Sequence, residues 1–338
     1  MRPGRPHIIA LQREAAGRPL PPRTPDVALV LLFTVIFPVV ALTALGYGAG
    51  RTIVPADAVK ALVNIVNYIE IPVLLFRALA HQDIARDPQL GISAVYFAGC
   101  FLVLIPALAI GRLGFRLRLD ELGVFGMGAM YSNSSLLGIP LIQTAFGTTG
   151  LVLLTKIIAF HSLILIPVAT VIVTVGRGDV RGLPAMVRSA ATAALCNPII
   201  LGLLAGLAWG LAGWPLPDAI DHVLEMLAVA ASPTALLAMG ATQAHFRIGG
   251  HRAQVLTGSA LKLVLHPLLV WGLATGFAGL SREAVAVATV TAALPPGINV
   301  YLLAHQYDCA VGRAASTMIV ASILSIVSVG FVLALVGF

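Results

Sequence analysis

Long runs of apolar residues, separated by short polar stretches, dominate the pattern of this chain. A helix that crosses a bilayer needs about 20 mostly apolar residues, and most of the runs reach that length. None of the connections is long enough for a soluble domain. The pattern therefore predicts an all-α integral membrane protein with ten transmembrane segments, at about residues 27–49, 57–80, 90–110, 121–146, 150–174, 186–212, 219–241, 252–276, 283–305 and 309–336.

Composition indicates that lipid is the solvent for most of this surface. Hydrophobic residues make up 59% of the 338 residues and charged residues 10%, whereas a soluble domain carries roughly 25% charged residues. Residues 1–25 differ from the rest, because five arginines and several prolines predict a disordered tail there. The formal charge of +7 comes largely from arginines between apolar segments, so no nucleic-acid partner is expected.

Prolines and glycines recur in the same order in the two halves of the chain, at an offset of 159 to 161 residues. Proline inside a helix costs about 3 kcal/mol, so shared positions indicate shared structure. Five spans per half is an odd number, so the second half must enter the membrane from the opposite side. We therefore predict two inverted five-helix repeats, at residues 26–175 and 186–338. The matched pairs are Pro38 and Pro198, Gly46 and Gly206, Pro72 and Pro233, Pro106 and Pro267, and Gly138 and Gly297.

The basic residues of the connections predict the orientation. Eleven Lys or Arg lie nearest the connections between segments 1–2, 3–4, 5–6, 7–8 and 9–10, and three lie on the other side. Cytoplasmic loops carry the excess of positive charge, so the first group is predicted to be cytoplasmic. Both termini would then lie outside the inner (plasma) membrane, although the arginines of the tail favour the reverse.

Segments 4 and 9 combine proline, glycine and polar side chains in the middle of an apolar span. Segment 4 contains the stretch 131–140, and segment 9 contains Pro295, Pro296 and Gly297 in succession. Proline lacks an N–H and cannot continue a regular helix, so both helices should be broken. Freed backbone groups at membrane depth must face protein or a water-filled cavity. In an inverted repeat, the two breaks are predicted to cross near the midplane.

This crossing is the predicted substrate site. The helix that starts after each break presents unpaired N–H groups and partial positive charge, which suit an anion. The side-chain amides of Asn133 and Asn299 would add hydrogen bonds. The predicted substrate-binding residues are Ser132, Asn133, Ser134, Gly138, Pro140, Pro295, Pro296, Gly297 and Asn299.

Three ionisable residues inside apolar segments are candidates for ion coupling, namely Glu70, Lys262 and His161. Each has a structural alternative: Glu70 as a neutral hydrogen-bonded acid, Lys262 extended to a membrane interface, and His161 as a bridge between helices. The other polar residues of segments 2 and 6, namely Asn64, Asn67 and Asn197, are interpreted as packing or capping features. The chain lacks the HExxH, GxSxG and P-loop signatures, so neither an enzyme nor a cofactor is expected.

The motifs around the breaks resemble those of the auxin efflux carrier family, and the likeness covers nearly everything after residue 27. The resemblance implies ten helices in two inverted halves, with proline-marked crossed helices 4 and 9. It also implies transport of organic anions such as malonate, malate or auxin-like acids, and a homodimer. By motif match, the family site falls on Asn133, Pro140, Pro295, Pro296 and Asn299. The stretches that carry the resemblance are residues 132–141, 197–198, 232–240 and 294–307.

The leading hypothesis is a secondary carrier that moves a small carboxylate by alternating access. Helices 4 and 9 with their neighbours would move against a scaffold of helices 1, 2, 6 and 7. The alternative is a sodium-coupled symporter of larger organic acids, like the bile-acid symporter group. A membrane enzyme or sensor is a third class, and the missing catalytic motifs weigh against it.

Overall fold

The computed structural model describes residues 32–81, 89, 91–178, 182–246, 249, 252–276 and 279–336, and the predicted tail 1–25 lies outside them. The described residues form helices joined by short connections. We number these helices α1 Phe33–Thr52, α2 Ala56–Ala80, α3 Gly91–Gly114, α4 Leu119–Met130, α5 Ser134–Gly176, α6 Leu183–Leu195, α7 Pro198–Ala212, α8 Asp218–Ala244, α9 Arg252–Gly276, α10 Arg282–Ala293, α11 Ile298–Gln306 and α12 Val311–Leu335.

Seven of these helices, α1, α2, α3, α5, α8, α9 and α12, are long and apolar enough to cross a membrane, and α7 is apolar but shorter. The predicted all-α membrane fold is confirmed at this level. The described residues therefore form a multi-pass helical membrane protein, and the ten-helix inverted repeat stays a prediction.

The structure supports the predicted division between segments 4 and 5 but divides segment 6 in two. Segments 4 and 5 were predicted as separate helices divided near residue 148, and the stretch Ser134–Gly176 has a kink there, at Gly147. Only Gly147, with φ of 62°, has a non-helical conformation within the stretch Ile139–Gly176. Segment 6 was predicted as one helix, but it divides into α6 and α7 at Asn197. The side chain of Asn197 accepts a hydrogen bond from the N–H of Ile199 at 2.9 Å, which caps α7.

The helices pack in two groups. In one group, α8 packs along α1 and against α2, and α7 packs against α2. Glycine permits the close approach of α1 and α8, because a side chain on Gly240 would overlap the carbonyl of Thr43. In the other group, α3, α4, α5, α9, α10 and α12 surround one another. The cavity described below has walls from both groups.

Candidate functional site

Both predicted breaks are present as interrupted helices. After α4 ends, Tyr131 is extended and α5 begins with a π-helical turn at Ser134–Gly138. After α10 ends, Leu294 and Gly297 are extended and α11 begins at Ile298. Proline explains the second break, since Pro295 and Pro296 lack the N–H groups that would continue α10.

The two breaks contact each other through their backbones. The N–H of Asn133 donates to the carbonyl of Pro295 at 2.8 Å, and Ser132 forms an antiparallel bridge with Pro296. A methyl group on Gly138 would lie 2.9 Å from the side chain of Leu294, so glycine permits this approach. The polar groups freed by one break are thus partly satisfied by the other.

A cavity of about 270 Å³ lies at the meeting of the breaks. The residues of its wall carry amides, hydroxyls, one histidine and apolar groups, and none of those described is Asp, Glu, Lys or Arg. The starts of α5 and α11 both contribute to the wall, and the first turn of a helix has N–H groups without intrahelical partners. The electrostatic character of the wall therefore favours a negatively charged guest.

All five asparagines of the chain line this cavity: Asn64, Asn67, Asn133, Asn197 and Asn299. Two of them follow the breaks, as predicted. The other three come from α2 and the start of α7, and sequence reasoning assigned them to packing or capping. Asn197 does cap α7, but the cavity role was missed because nothing in the local sequence relates segment 2 to segment 6.

The predicted substrate residues divide into two sets. Ser132, Asn133, Ser134, Gly297 and Asn299 line the cavity. Gly138, Pro140, Pro295 and Pro296 lie outside the described wall and shape the backbone that carries it. Gly138 and Pro140 lie in the first turns of α5, while Pro295 and Pro296 make the contacts between the breaks.

The side chains of the two predicted asparagines have different partners. Asn133 is 7% exposed, and its amide N–H points to the sulfur of Met239 at 3.4 Å, a weak contact. The amide of Asn299 donates to the hydroxyl of Tyr131 at 2.5 Å, and that hydroxyl also contacts Ser162 Oγ at 2.8 Å. Asn299 is therefore held in place, whereas Asn133 keeps hydrogen-bonding capacity for a guest.

Lys262 lies behind the cavity wall, fully buried on α9. Its Nζ contacts Ser132 Oγ at 2.7 Å, the carbonyl of Ala292 at 2.6 Å and His266 Nδ1 at 3.0 Å. The alternative in which this lysine extends to a membrane interface is wrong, because the side chain points into the helix bundle. The lysine lies in a π-helical turn, Leu261–Leu265, a feature common at functional sites.

His161 belongs to the same buried network. Its Nε2 lies 3.1 Å from the hydroxyl of Tyr96, which in turn donates to Ser132 Oγ at 2.9 Å. His161 lines the cavity and is 1% exposed. The hydroxyl of Ser132 contacts Lys262 directly and His161 through the hydroxyl of Tyr96, so two of the three predicted coupling residues belong to one hydrogen-bonded network.

Glu70, the third predicted coupling residue, lies apart from the cavity wall that the structure describes. It ends a π-helical turn of α2, Val66–Glu70, and is 7% exposed. Its Oε2 atom is buried without a hydrogen-bond partner in the described part of the chain. Glu70 is therefore not grouped with Lys262 and His161.

Interrupted helices that enclose a polar cavity inside an apolar bundle are typical of membrane transporters. The family model described as "Membrane transport protein" matches residues 31–333. The chain therefore belongs to this family of membrane transport proteins, the auxin efflux carrier family. The predicted resemblance is confirmed.

Several relatives are similar along most of their length. The chain is 27% identical over 296 residues to the Rhizobium meliloti protein named "Putative malonate transporter". The aligned region covers 87% of this chain and 92% of that protein. The chain is 28% identical over 276 residues to an "Uncharacterized transporter" of Methanothermobacter thermautotrophicus, covering 80% and 86%. It is 25% identical over 287 residues to the "Uncharacterized transporter YfdV" of Escherichia coli, covering 81% and 87%.

Proposed function

We propose that this protein is a secondary transporter that carries a small carboxylate across the inner membrane by alternating access. The observation that carries the proposal is the gathering of all five asparagines around one small cavity at the two helix breaks. Amide N–H groups and helix starts can hold a carboxylate without an arginine in the wall. A relative named for malonate transport supports the same substrate class.

The size of the cavity favours a small guest. Sites for drug-sized ligands occupy about 300–1,000 Å³, and this one measures about 270 Å³. Its wall combines amides with the apolar side chains of Val63, Ile158 and Leu302. A short mono- or dicarboxylate matches this combination better than a large amphipathic acid does.

The packing of the helices supports the proposed mechanism. Helices α1, α2, α7 and α8 would form the scaffold, and the group that contains both breaks would move against it. We propose that the ten segments form two inverted repeats and that the broken segments cross at the cavity. Contacts between the groups include the hydrogen bond of Ser232 to Gln143 at 2.8 Å and that of Gln243 to Ser322 at 2.9 Å. Such contacts would be exchanged during the transition.

The direct test uses purified protein in proteoliposomes. The purified protein is first screened by thermal shift against small mono- and dicarboxylates, malonate and malate included. The substrate should raise the melting temperature of the protein, since a ligand of the folded state stabilises it. Uptake of the radiolabelled hit should then exceed that of protein-free liposomes. A screen without any stabilising carboxylate, followed by no carboxylate flux, would refute the proposal. Uptake that requires sodium would favour the sodium-coupled alternative.

A further inference from the structure

We propose that Lys262 takes up a proton when the carboxylate binds, so that the protein carries the anion together with a proton. This inference rests on the proposed function and names its coupling ion. The geometry that supports it is a fully buried lysine that hydrogen-bonds a residue of the cavity wall, Ser132, at 2.7 Å.

None of the three groups that contact the lysine carries a negative charge. Its Nζ contacts a hydroxyl, a backbone carbonyl and an imidazole, which are the oxygen of Ser132, the oxygen of Ala292 and Nδ1 of His266. These three acceptors can satisfy the three N–H bonds of an ammonium group. They supply no negative charge, and a buried cation without a counter-ion is costly.

The ionisable groups around the lysine are few. Cys100 on α3, His161 on α5 and His266 on α9 itself face it, and Tyr96 on α3 shares the hydroxyl of Ser132 with it. Helices α4, α10 and α12 pack against the π-helical turn that carries Lys262. The acidic and basic residues of their described parts all lie in the first turn of each helix. They are Asp120, Glu121, Arg282, Glu283 and Arg313.

Ser132 links the lysine to the cavity. Its Oγ atom accepts hydrogen bonds from the hydroxyl of Tyr96 and from Nζ of Lys262. A hydroxyl oxygen has two lone pairs, so both are used and its own hydrogen can point to an acceptor in the cavity. A bound carboxylate would therefore lie one hydrogen-bonded group away from Lys262.

This arrangement makes anion binding and protonation reciprocal. A carboxylate in the cavity stabilises the ammonium form of Lys262 through charge attraction at low dielectric. By linkage, the protonated protein binds the carboxylate more tightly to the same degree. When the anion leaves, Lys262 releases its proton. The empty protein would then return to its starting conformation without carrying either the anion or the proton.

Calorimetry of the wild-type protein tests the proposal, with malonate as the probe. Malonate titrations in two buffers of different ionisation enthalpy at one pH report the number of protons taken up per anion. We expect an uptake approaching one proton, and a malonate Kd that rises by up to tenfold per pH unit between about pH 7 and 9, the range in which malonate stays ionised. Binding with no proton uptake and no pH dependence would overturn the inference and leave the proposed function intact.

Variants identify the group that takes the proton. Lys262→Met should abolish the uptake and weaken malonate binding by at least tenfold, and Lys262→Arg, which stays charged, should bind malonate without proton uptake. Lys156→Met, a lysine of α5 outside the described cavity wall, is the matched control and should behave as wild type.

Proton uptake that survives in Lys262→Met but disappears in His161→Gln would assign the proton to the histidine and refute the lysine. If wild-type protein binds neither malonate nor any other carboxylate of the thermal-shift panel, the proposed function fails and the inference fails with it.

Discussion

The backbone N–H of Asn133 donates a hydrogen bond to the carbonyl oxygen of Pro295 at 2.8 Å, and this contact joins the two helix breaks. The two residues belong to opposite halves of the sequence. Pro295 has no N–H group to continue α10. Its carbonyl oxygen accepts the hydrogen bond that the N–H of Asn133 cannot make within α4 or α5. The hydrogen bond fixes the relative position of the two side-chain amides that we assign to substrate binding.

Replacement of Asn133 tests the binding site. Asn133→Ala should lower the affinity for the carboxylate by about 10- to 100-fold, because a hydrogen bond to a charged group contributes about 1.5–3 kcal/mol. Asn133→Asp should lower it further, since the new carboxylate would repel the anion. Uptake in proteoliposomes and thermal shifts measure both effects. Thr275→Ala, on the exposed end of α9, is the control, and unchanged uptake in Asn133→Ala would remove Asn133 from the site.

Close packing of α1 against α8 makes Gly240 intolerant of a side chain. Gly240→Ala would place a methyl group against the backbone of Thr43, so the two helices must separate. We expect a loss of about 1–3 kcal/mol in the free energy of unfolding, measured as a lower melting temperature in detergent. Gly272→Ala is the matched control, because a methyl group there has nothing within 4 Å. Equal melting temperatures for the two variants would contradict the packing.

The bend within α5 depends on a conformation that only glycine adopts easily. Gly147 has φ of 62° and ψ of −155°, and a non-glycine residue in such a region costs about 1–3 kcal/mol. Gly147→Ala should therefore destabilise the protein even though the added methyl group meets no neighbour. Gly48→Ala, in the helical interior of α1 and equally uncrowded, should instead stabilise by up to about 1 kcal/mol. The opposite signs distinguish backbone strain from crowding.

Two arginines near the start of α4 should differ in their contribution to stability. Arg313 is 7% exposed and contacts Gln254 at 2.8 Å and Glu121 at 3.4 Å. Arg313→Met should cost about 1–3 kcal/mol, because buried polar groups lose their partner. The side chain of Arg118 is 77% exposed in its ion pair with Asp120, so Arg118→Met should change stability by about 1 kcal/mol or less. Thermal denaturation of both variants measures the difference, and a larger effect at Arg118 would reverse the assignment.

The predicted orientation can be tested by labelling from one side of the membrane. In a variant whose three cysteines are replaced by serine, Arg118→Cys should react with a membrane-impermeant maleimide only after permeabilisation, whereas Arg282→Cys should react in intact cells. The expectation follows from the excess of basic residues on the side of Arg118. The reverse labelling pattern would invert the predicted topology, with both termini then facing the cytoplasm.

The sequence by itself determined the class of the protein and the position of the breaks. An apolar run long enough to cross a bilayer forms a helix there, because a helix satisfies its own backbone hydrogen bonds. Pro295, Pro296 and Gly297 in succession cannot continue such a helix. The same local chemistry led to Asn133 and Asn299 as candidate ligands. These conclusions depend on the covalent properties of residues close together in the chain, so the sequence alone was sufficient for them.

Only the tertiary structure decided which residues share the site. The sequence offered no reason to group Asn64 and Asn67 of α2 with Asn197, because their proximity arises from helices that are distant in the chain. It also left open whether Lys262 points into the bundle or to an interface, since the long side chain can do either. Packing of α9 against α3 and α10 places Nζ against Ser132 and Ala292. The periodicity of one helix cannot specify such contacts, because they depend on the rotation and depth of every neighbouring helix.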